Sequence, residues 1–155
     1  MRIFKVAFFG HRDFCIDREK EERLFAIVCD LIRTKPYVEF IVGRHGEFDK
    51  FAASVVKRAQ KVLRNENSSL TLVLPYKNKD VEYFERYYDN VTLPECVEGT
   101  HPKGAIRKRN NLMVEECDLL VCFVEHEYGG AYDAMKYAEK IGKAIIDLVT
   151  ISKTD

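Results

Sequence analysis

The chain has 155 residues, 46% of them hydrophobic and 32% charged, which is typical of a single globular domain over residues 1–155. Its 25 lysines and arginines balance its 25 aspartates and glutamates, so it lacks the net positive charge that attracts nucleic acid, and nucleic acid is not expected as a partner. No apolar run approaches the ~20 residues of a membrane helix, and the five cysteines form no CxxC pair, so we expect a cytoplasmic protein with reduced thiols and no membrane contact.

Strands and helices are predicted to alternate along the whole chain. In chain order, the sequence predicts a strand at 3–9, a helix at 17–34, a strand at 38–42, a helix at 48–64, a strand at 70–74, a short helix at 79–88, a helix at 104–117, a strand at 119–124, a helix at 130–142 and a strand at 144–148. The strand segments are continuously apolar, which indicates a parallel sheet covered on both faces. The alternation predicts an α/β fold, a three-layer α/β/α sandwich with a mainly parallel sheet of about five strands. Residues 89–103 fit no element and are predicted to form a long loop.

Glycines follow three of the predicted strands, at the sheet edge where open parallel sheets bind ligands. Gly10 precedes a His-Arg pair that we expect to present donors, and Gly43 and Gly46 flank an Arg-His pair. Gly129 and Gly130 precede the helix at 130–142, whose free N–H groups favour a phosphate, and glycine lets the backbone approach such an anion closely. Glycines in such turns can also serve the turn geometry alone. Neither the GxGxxG fingerprint nor the Walker loop is present.

The helix at 104–117 adds a basic and amide-rich segment, RKRNN, at residues 107–111. Such a run is commonly a solvated helix face, but arginine and asparagine also suit phosphate oxygens and a ribose or base edge, so we favour Arg109 and Asn110 as site residues. The residues expected to contact the ligand are Gly10, His11, Arg12, Gly43, Arg44, His45, Gly46, Asp49, Arg107, Arg109, Asn110, Glu125, Gly129, Gly130 and Ala131.

Four stretches, GHR, GRHGEFDKFAA, AIRKRNNLMVEECDLLVCFV and GGAYDAMKYAEKIGKAIIDL, together resemble the SLOG superfamily, which includes the LONELY GUY enzymes and DNA-processing protein A. The similarity covers essentially the whole chain and is greatest to the small stand-alone bacterial YpsA-like branch. It implies a Rossmann-like domain that binds a nucleotide or nucleotide-derived small molecule, with the phosphate near Gly129 and Gly130. It also implies a homo-oligomer, and we expect no cofactor.

One departure from the family bears on catalysis. The phosphoribohydrolase relatives carry G-G-x-G-T-x-x-E, whereas this chain places Lys136 where the catalytic glutamate would be, and a lysine cannot stabilise an oxocarbenium ion. We therefore expect a sensor or sequestering module rather than an enzyme. The alternative is an N-glycosidase, phosphoribohydrolase or nucleoside-transferring enzyme acting on a nucleoside monophosphate, with Glu125, Glu127 and Asp133 as its candidate catalytic residues.

Two further possibilities stay open in the sequence. The four histidines have no metal-ligand spacing, so no metal is expected, although His45 and His126 could share a site. A role as a DNA accessory protein is disfavoured by the neutral net charge. The segment VEYFERYYDN at 81–90 is rich in aromatic residues, which suits a protein interface and supports the expected self-association.

Overall fold

The computed structural model describes residues 2–15 and 17–149, and within them six parallel strands form one sheet. The strands are β1 (Phe4–Gly10), β2 (Val38–Val42), β3 (Ser68–Val73), β4 (Asn90–Thr92), β5 (Leu119–Phe123) and β6 (Ala144–Asp147), in the order β4-β3-β2-β1-β5-β6. The helices are α1 (Arg18–Thr34), α2 (Glu47–Leu63), α3 (Val81–Tyr87), α4 (Pro102–Glu116) and α5 (Gly130–Lys140), with a 3₁₀ turn at Glu95–Val97. Residues 1, 16 and 150–155 of the expected single domain lie outside the described residues.

The inner strands β1, β2, β3 and β5 are covered on both faces, as predicted. Along β1, Val6 and Phe8 face the core formed with α1 and α2, while Ala7 and Phe9 face the core formed with α4 and α5, because successive side chains of a strand point to opposite faces. All five residues of β5 are buried. The predicted α/β class and three-layer sandwich are confirmed, with six strands rather than about five.

The additional strand, β4, lies inside the predicted loop 89–103, which also contains the 3₁₀ turn. β4 has three residues at the edge of the sheet, and two of them are exposed, so no apolar run marks it in the sequence. β4 is held in the sheet by its pairing with β3 and by a 2.8 Å hydrogen bond that the Leu74 N–H donates to the Thr92 carbonyl. Backbone pairing of this kind leaves no pattern in a single sequence.

The strand order reverses between β1 and β5, the kind of point at which open parallel sheets form a crevice. The chain runs from β1 toward β2 on one side and from β5 toward β6 on the other, so the turns after β1 and β5 diverge at the carboxyl edge. Within the described part of the chain, no helix is long and apolar enough to span a bilayer. All five cysteines are free thiols.

Candidate functional site

A cavity of about 370 Å³ opens at the carboxyl edge of the sheet, where the strand order reverses. The turns after β1, β2 and β5 and one face of α4 line it. Of the expected ligand contacts, those that line the cavity are Gly10, His11, Arg12, Gly43, His45, Asp49, Arg109, Asn110, Gly129, Gly130 and Ala131. The three glycine turns therefore do converge on one pocket.

Four of the expected contacts, Arg44, Gly46, Arg107 and Glu125, lie outside this lining. Arg44 is exposed and places its guanidinium 4.7 Å from the centre of the Phe84 ring, because the turn after β2 directs it toward α3. Arg107 is exposed on the solvent face of α4, and Glu125 is exposed on the turn after β5. Gly46 lies against Arg12, where an added Cβ would come within 2.5 Å of the Arg12 Cα.

Arg109 is the most distinctive group in the cavity, because it is a buried cation with 3% of its surface exposed. Its Nε donates to Asn110 Oδ1 and its Nη1 donates to the Val73 carbonyl, both at 2.9 Å. No carboxylate of the described residues lies within 4 Å of it, and Asp49 is the acidic group that interacts with it over a longer distance. Burial lowers the pKa of Arg109, and Asp49 opposes this shift. Its charge is therefore held in place by neutral oxygens.

Three of the site glycines are explained by the protein's own packing. A Cβ at Gly43 would lie 2.8 Å from Arg109 Nη1, and a Cβ at Gly10 would lie 2.1 Å from the Phe48 ring. Both contacts are far shorter than side chains tolerate, and the clash of Gly46 with Arg12 is of the same kind. At these positions glycine admits a neighbouring part of the chain.

The turn before α5 is different, because the space in front of it is open. Gly129 has a φ of +93°, in the left-handed region that favours glycine, and a Cβ there would meet nothing within 4 Å. No side chain caps α5, and Gly129, Gly130 and Ala131 line the cavity. The Asn110 amide accepts the Arg109 Nε–H through Oδ1, and its Nδ2 lies 3.5 Å from where a Gly130 Cβ would be. Backbone and amide donors thus converge beside Arg109.

His11 joins the turn after β1 to the turn after β5. Its Nε2 accepts the backbone N–H of Glu125 at 2.7 Å and that of His126 at 3.2 Å. A ring nitrogen that accepts these bonds carries no proton, so Nε2 does not act as the ligand donor that the sequence suggested. Burial lowers the pKa of His11, as does the neighbouring His126, and both effects favour the neutral ring.

His45 and Asp49 form the wall of the cavity next to Arg109. The His45 backbone N–H donates to the Asp49 carboxylate at 2.9 Å, while the His45 Nε2 is buried and has no hydrogen-bond partner. Burial lowers the pKa of His45, with Arg109 and Arg12 adding to the shift, and burial raises the pKa of Asp49. A ligand atom at this wall would satisfy the unpaired nitrogen.

The candidate catalytic carboxylates do not lie in the cavity. Glu125, Glu127 and Asp133 are all exposed and absent from its lining, and β5 ends at Phe123, before any of the three. The carboxylates in the lining are Asp13 and Asp49. His45 and His126 both line the cavity, but the described residues contain no group of three or more His, Cys, Asp or Glu side chains that could hold a metal ion.

Tyr128 is a site residue that the sequence did not reveal. It is 70% exposed, lines the mouth of the cavity and stacks on His126 with the ring centres 5.1 Å apart and the planes 13° apart. His126 in turn contacts His11, with ring centres 4.6 Å apart. An isolated aromatic residue in a turn has no periodicity. Its position between the strand end and the paired glycines was the available signal.

Comparisons with known proteins identify the fold. No protein-family model and no curated protein matches the sequence. The structure matches DNA processing protein A (DprA) from Streptococcus pneumoniae with a TM-score of 0.67 at 16% identity, over 92% of this chain and 49% of that one. It also matches DprA from Helicobacter pylori, described for its single-stranded DNA binding mode, with a TM-score of 0.63 at 16% identity, over 92% of this chain and 63% of that one. The chain spans about half to two thirds of these proteins and shares their Rossmann-like fold.

The second match corrects the expectation about nucleic acid. That expectation rested on the zero net charge of the whole chain. The Helicobacter pylori protein has the same fold and binds single-stranded DNA. Net charge averages over the entire surface, whereas nucleic-acid binding depends on the local arrangement of donors and cations. The neutral composition is therefore no ground for excluding nucleic acid.

Proposed function

We propose that the protein binds a nucleotide or a nucleotide-derived small molecule, with a phosphate held between the N-terminus of α5 and Arg109. The observation that carries this proposal is the buried Arg109 guanidinium, which lines the cavity with no carboxylate of the described residues within 4 Å. Burying a cation costs free energy unless an anion or several hydrogen bonds offset it. A phosphate in the cavity supplies that anion, and its oxygens accept hydrogen bonds from the remaining N–H groups of the guanidinium.

The donors on the opposite side of the cavity suit the same phosphate. The uncapped N–H groups at the start of α5 carry the positive end of the helix dipole, and the Nδ2 of Asn110 lies beside them. Because the Asn110 Oδ1 accepts the hydrogen bond from Arg109 Nε, the Asn110 Nδ2 group is directed toward Gly130. Two helices, α4 and α5, thus contribute donors to one small volume.

The remainder of the cavity suits a base and a sugar. Its volume of about 370 Å³ lies within the ~300–1,000 Å³ of typical small-molecule pockets. Tyr128 and His126 provide an aromatic surface at the mouth, and bases stack on such surfaces irrespective of sequence. Phe9, Ile106 and Met113 contribute an apolar floor. The site therefore offers a charged end and an aromatic end, as a nucleotide requires.

The geometry supports binding more than turnover, so we propose a sensor or sequestering module of the YpsA-like type. The alternative of an N-glycosidase requires a carboxylate at the ribose, and the three candidates lie outside the cavity. Lys136, at the family's glutamate position, is exposed and pairs with Glu139 at 3.3 Å. We further propose that residues 1–155 act as one cytoplasmic domain that self-associates, with the exposed Tyr83 and Tyr87 of α3 as the interface. Light scattering of the purified chain tests the self-association, and a monomer would refute it.

Single-stranded DNA is a second candidate ligand, favoured by the match to the Helicobacter pylori protein. A strand end would place its 5′-phosphate at the same α5 turn and stack its first base on Tyr128. In that case affinity falls steeply with added salt, because several phosphates displace counterions. A free nucleotide contacts the site with fewer charges and shows a shallower dependence on salt.

A thermal-shift panel tests the proposal and separates the candidates. The panel contains AMP, GMP, CMP, UMP, the four diphosphates, inorganic pyrophosphate and a 5′-phosphorylated ten-residue oligothymidylate. A ligand present at a hundred times its Kd stabilises the fold by about 2.7 kcal/mol, or roughly 5–10 °C for a chain of this size. We expect such a shift for at least one nucleotide, with no free base released on chromatography. Absence of any shift across the panel would refute nucleotide binding, and rapid base release would establish the enzyme alternative.

A further inference from the structure

A second depression of about 190 Å³ adjoins the cavity on the side away from α5. We call the first cavity the inner lobe and this depression the outer lobe. His45 and Arg109 line both lobes, so they form the junction between them. The outer lobe lies over the carboxyl end of β3 and against α3, and it is lined by Arg44, Leu74, Pro75, Tyr76, Asp80 and Phe84 among others.

The junction has the features of a site for a second phosphate. Arg109 is fixed from behind by the Val73 carbonyl at 2.9 Å, and its charge has no ion pair among the described residues. The Nε2 of His45 is buried without a partner. Arg12 adds positive charge near His45, and Asp49 is the opposing carboxylate. An oxygen-rich group placed here would pair with both Arg109 and the unpaired His45 nitrogen.

The outer lobe itself suits an uncharged nucleoside better than a further phosphate. Leu74, Pro75 and Phe84 give it an apolar wall, and Tyr76 presents a ring that is 38% exposed. The Arg44 guanidinium already lies over the Phe84 ring, so its charge is partly engaged there. The exposed Asp80 carboxylate would repel a phosphate but would accept hydrogen bonds from ribose hydroxyls or a base amine.

We propose that the ligand is a dinucleoside diphosphate, with one nucleoside in each lobe and the diphosphate bridging the α5 turn and the Arg109–His45 junction. This inference rests on the proposed function, since the inner lobe holds the first nucleotide. The volumes of the two lobes together fit the ~300–1,000 Å³ that ligand pockets occupy. Once one nucleoside of the ligand is bound, the other is held close to its own lobe, so its binding becomes intramolecular. The affinity for the dinucleotide therefore exceeds that for either mononucleotide.

Calorimetric titration of AMP, GMP, diadenosine 5′,5′-diphosphate and diguanosine 5′,5′-diphosphate tests the inference. We expect one of the dinucleotides to bind at least tenfold more tightly than its mononucleotide. Tyr76→Ala removes the exposed ring of the outer lobe and should reduce the dinucleotide affinity at least fivefold without changing the mononucleotide affinity. Tyr37→Ala is the matched control, because Tyr37 is half-buried just before the amino end of β2, at the opposite edge of the sheet, and lines neither lobe. It should change both affinities less than twofold.

The contrary outcomes distinguish this inference from the proposed function. Equal affinities for mononucleotide and dinucleotide, or an equal loss of both in Tyr76→Ala, would overturn the two-lobe ligand and leave mononucleotide binding intact. Absence of binding by all four probes would overturn the inference, while the proposed function would fall only if the complete thermal-shift panel also gave no shift. A tenfold tighter binding of the ten-residue oligothymidylate than of the dinucleotides would show that the ligand continues beyond the outer lobe, which also overturns the inference.

Discussion

Replacing Gly43 by alanine places a methyl group against the guanidinium of Arg109. The new Cβ would lie 2.8 Å from Nη1, 3.0 Å from Cζ and 3.1 Å from Nη2. The backbone of Gly43 is not in the left-handed region, so alanine itself is tolerated and the perturbation is purely steric. Restoring an ordinary contact of 3.4 Å requires Nη1 to move by 0.6 Å (3.4 − 2.8).

That displacement has a defined cost because Arg109 is held from two sides. Its hydrogen bonds to Asn110 and Val73 are both 2.9 Å long, and a shift of this size lengthens or breaks at least one of them. A hydrogen bond to a charged group contributes about 1.5–3 kcal/mol, and overpacking a core costs about 1–3 kcal/mol. We therefore expect Gly43→Ala to lower the free energy of unfolding by about 1–3 kcal/mol, or roughly 2–12 °C in Tm.

Urea denaturation of four proteins measures this effect, namely wild type, Gly43→Ala, Arg109→Met and the double variant. Methionine is flexible and lacks the guanidinium, so in the double variant the added methyl should cost less than about 0.5 kcal/mol. Gly130→Ala is the matched control, because its Cβ would meet nothing closer than 3.5 Å and should change stability by less than about 0.5 kcal/mol. A Gly43→Ala protein as stable as wild type, or an unchanged penalty in the double variant, would refute the packing of Gly43 against Arg109.

Two further predictions concern His11 and Tyr128. The pKa of folded His11 is lowered from 6.5, so its neutral form stabilises the fold above about pH 6.5 and this contribution is lost as the pH falls through the folded pKa. The variant His11→Gln keeps an acceptor for the Glu125 and His126 N–H groups. Its free energy of unfolding, measured by urea denaturation, should therefore fall less steeply below pH 6.5 than that of wild type. Parallel curves for the two proteins would contradict the lowered pKa of His11. Tyr128→Ala should leave stability within about 0.5 kcal/mol but weaken nucleotide binding roughly 5- to 150-fold, since base stacking contributes about 1–3 kcal/mol. Its affinity for inorganic pyrophosphate should not change in the same titration, and an equal loss for both probes would show that Tyr128 does not contact the base.

The fold was predictable because its inner strands are buried on both faces. A run such as the one in β5, buried at every residue, is visible in the sequence without knowledge of its neighbours. β4 was not predictable, since Asn90 and Thr92 are exposed and the strand exists through its pairing with β3. Helix α4 begins at Pro102, close to the predicted start at 104, because proline is favoured in the first helical turn.

The site was predictable in position but less so in the roles of its residues. Glycine turns at strand ends indicated the edge of the sheet at which the cavity opens, because parallel strands bring their carboxyl ends together. The reason for an individual glycine depends on what lies in front of it, which is Arg109 for Gly43 and open space for Gly129. In α4, likewise, the sequence does not distinguish two arginines that are two residues apart, although Arg107 is exposed and Arg109 is buried. Whether the cavity-lining residues contact a ligand stays a prediction.

That contrast between Arg107 and Arg109 provides the most direct measurement. The four nucleoside 5′-diphosphates ADP, GDP, CDP and UDP are titrated calorimetrically into wild type, Arg109→Met and Arg107→Met. Loss of a charge-assisted hydrogen bond of about 1.5–3 kcal/mol predicts a roughly 10- to 150-fold weaker Kd for Arg109→Met. Arg107→Met, on the solvent face of the same helix, should bind within twofold of wild type. Equal affinities for all three proteins, or a loss confined to Arg107→Met, would contradict phosphate binding at Arg109.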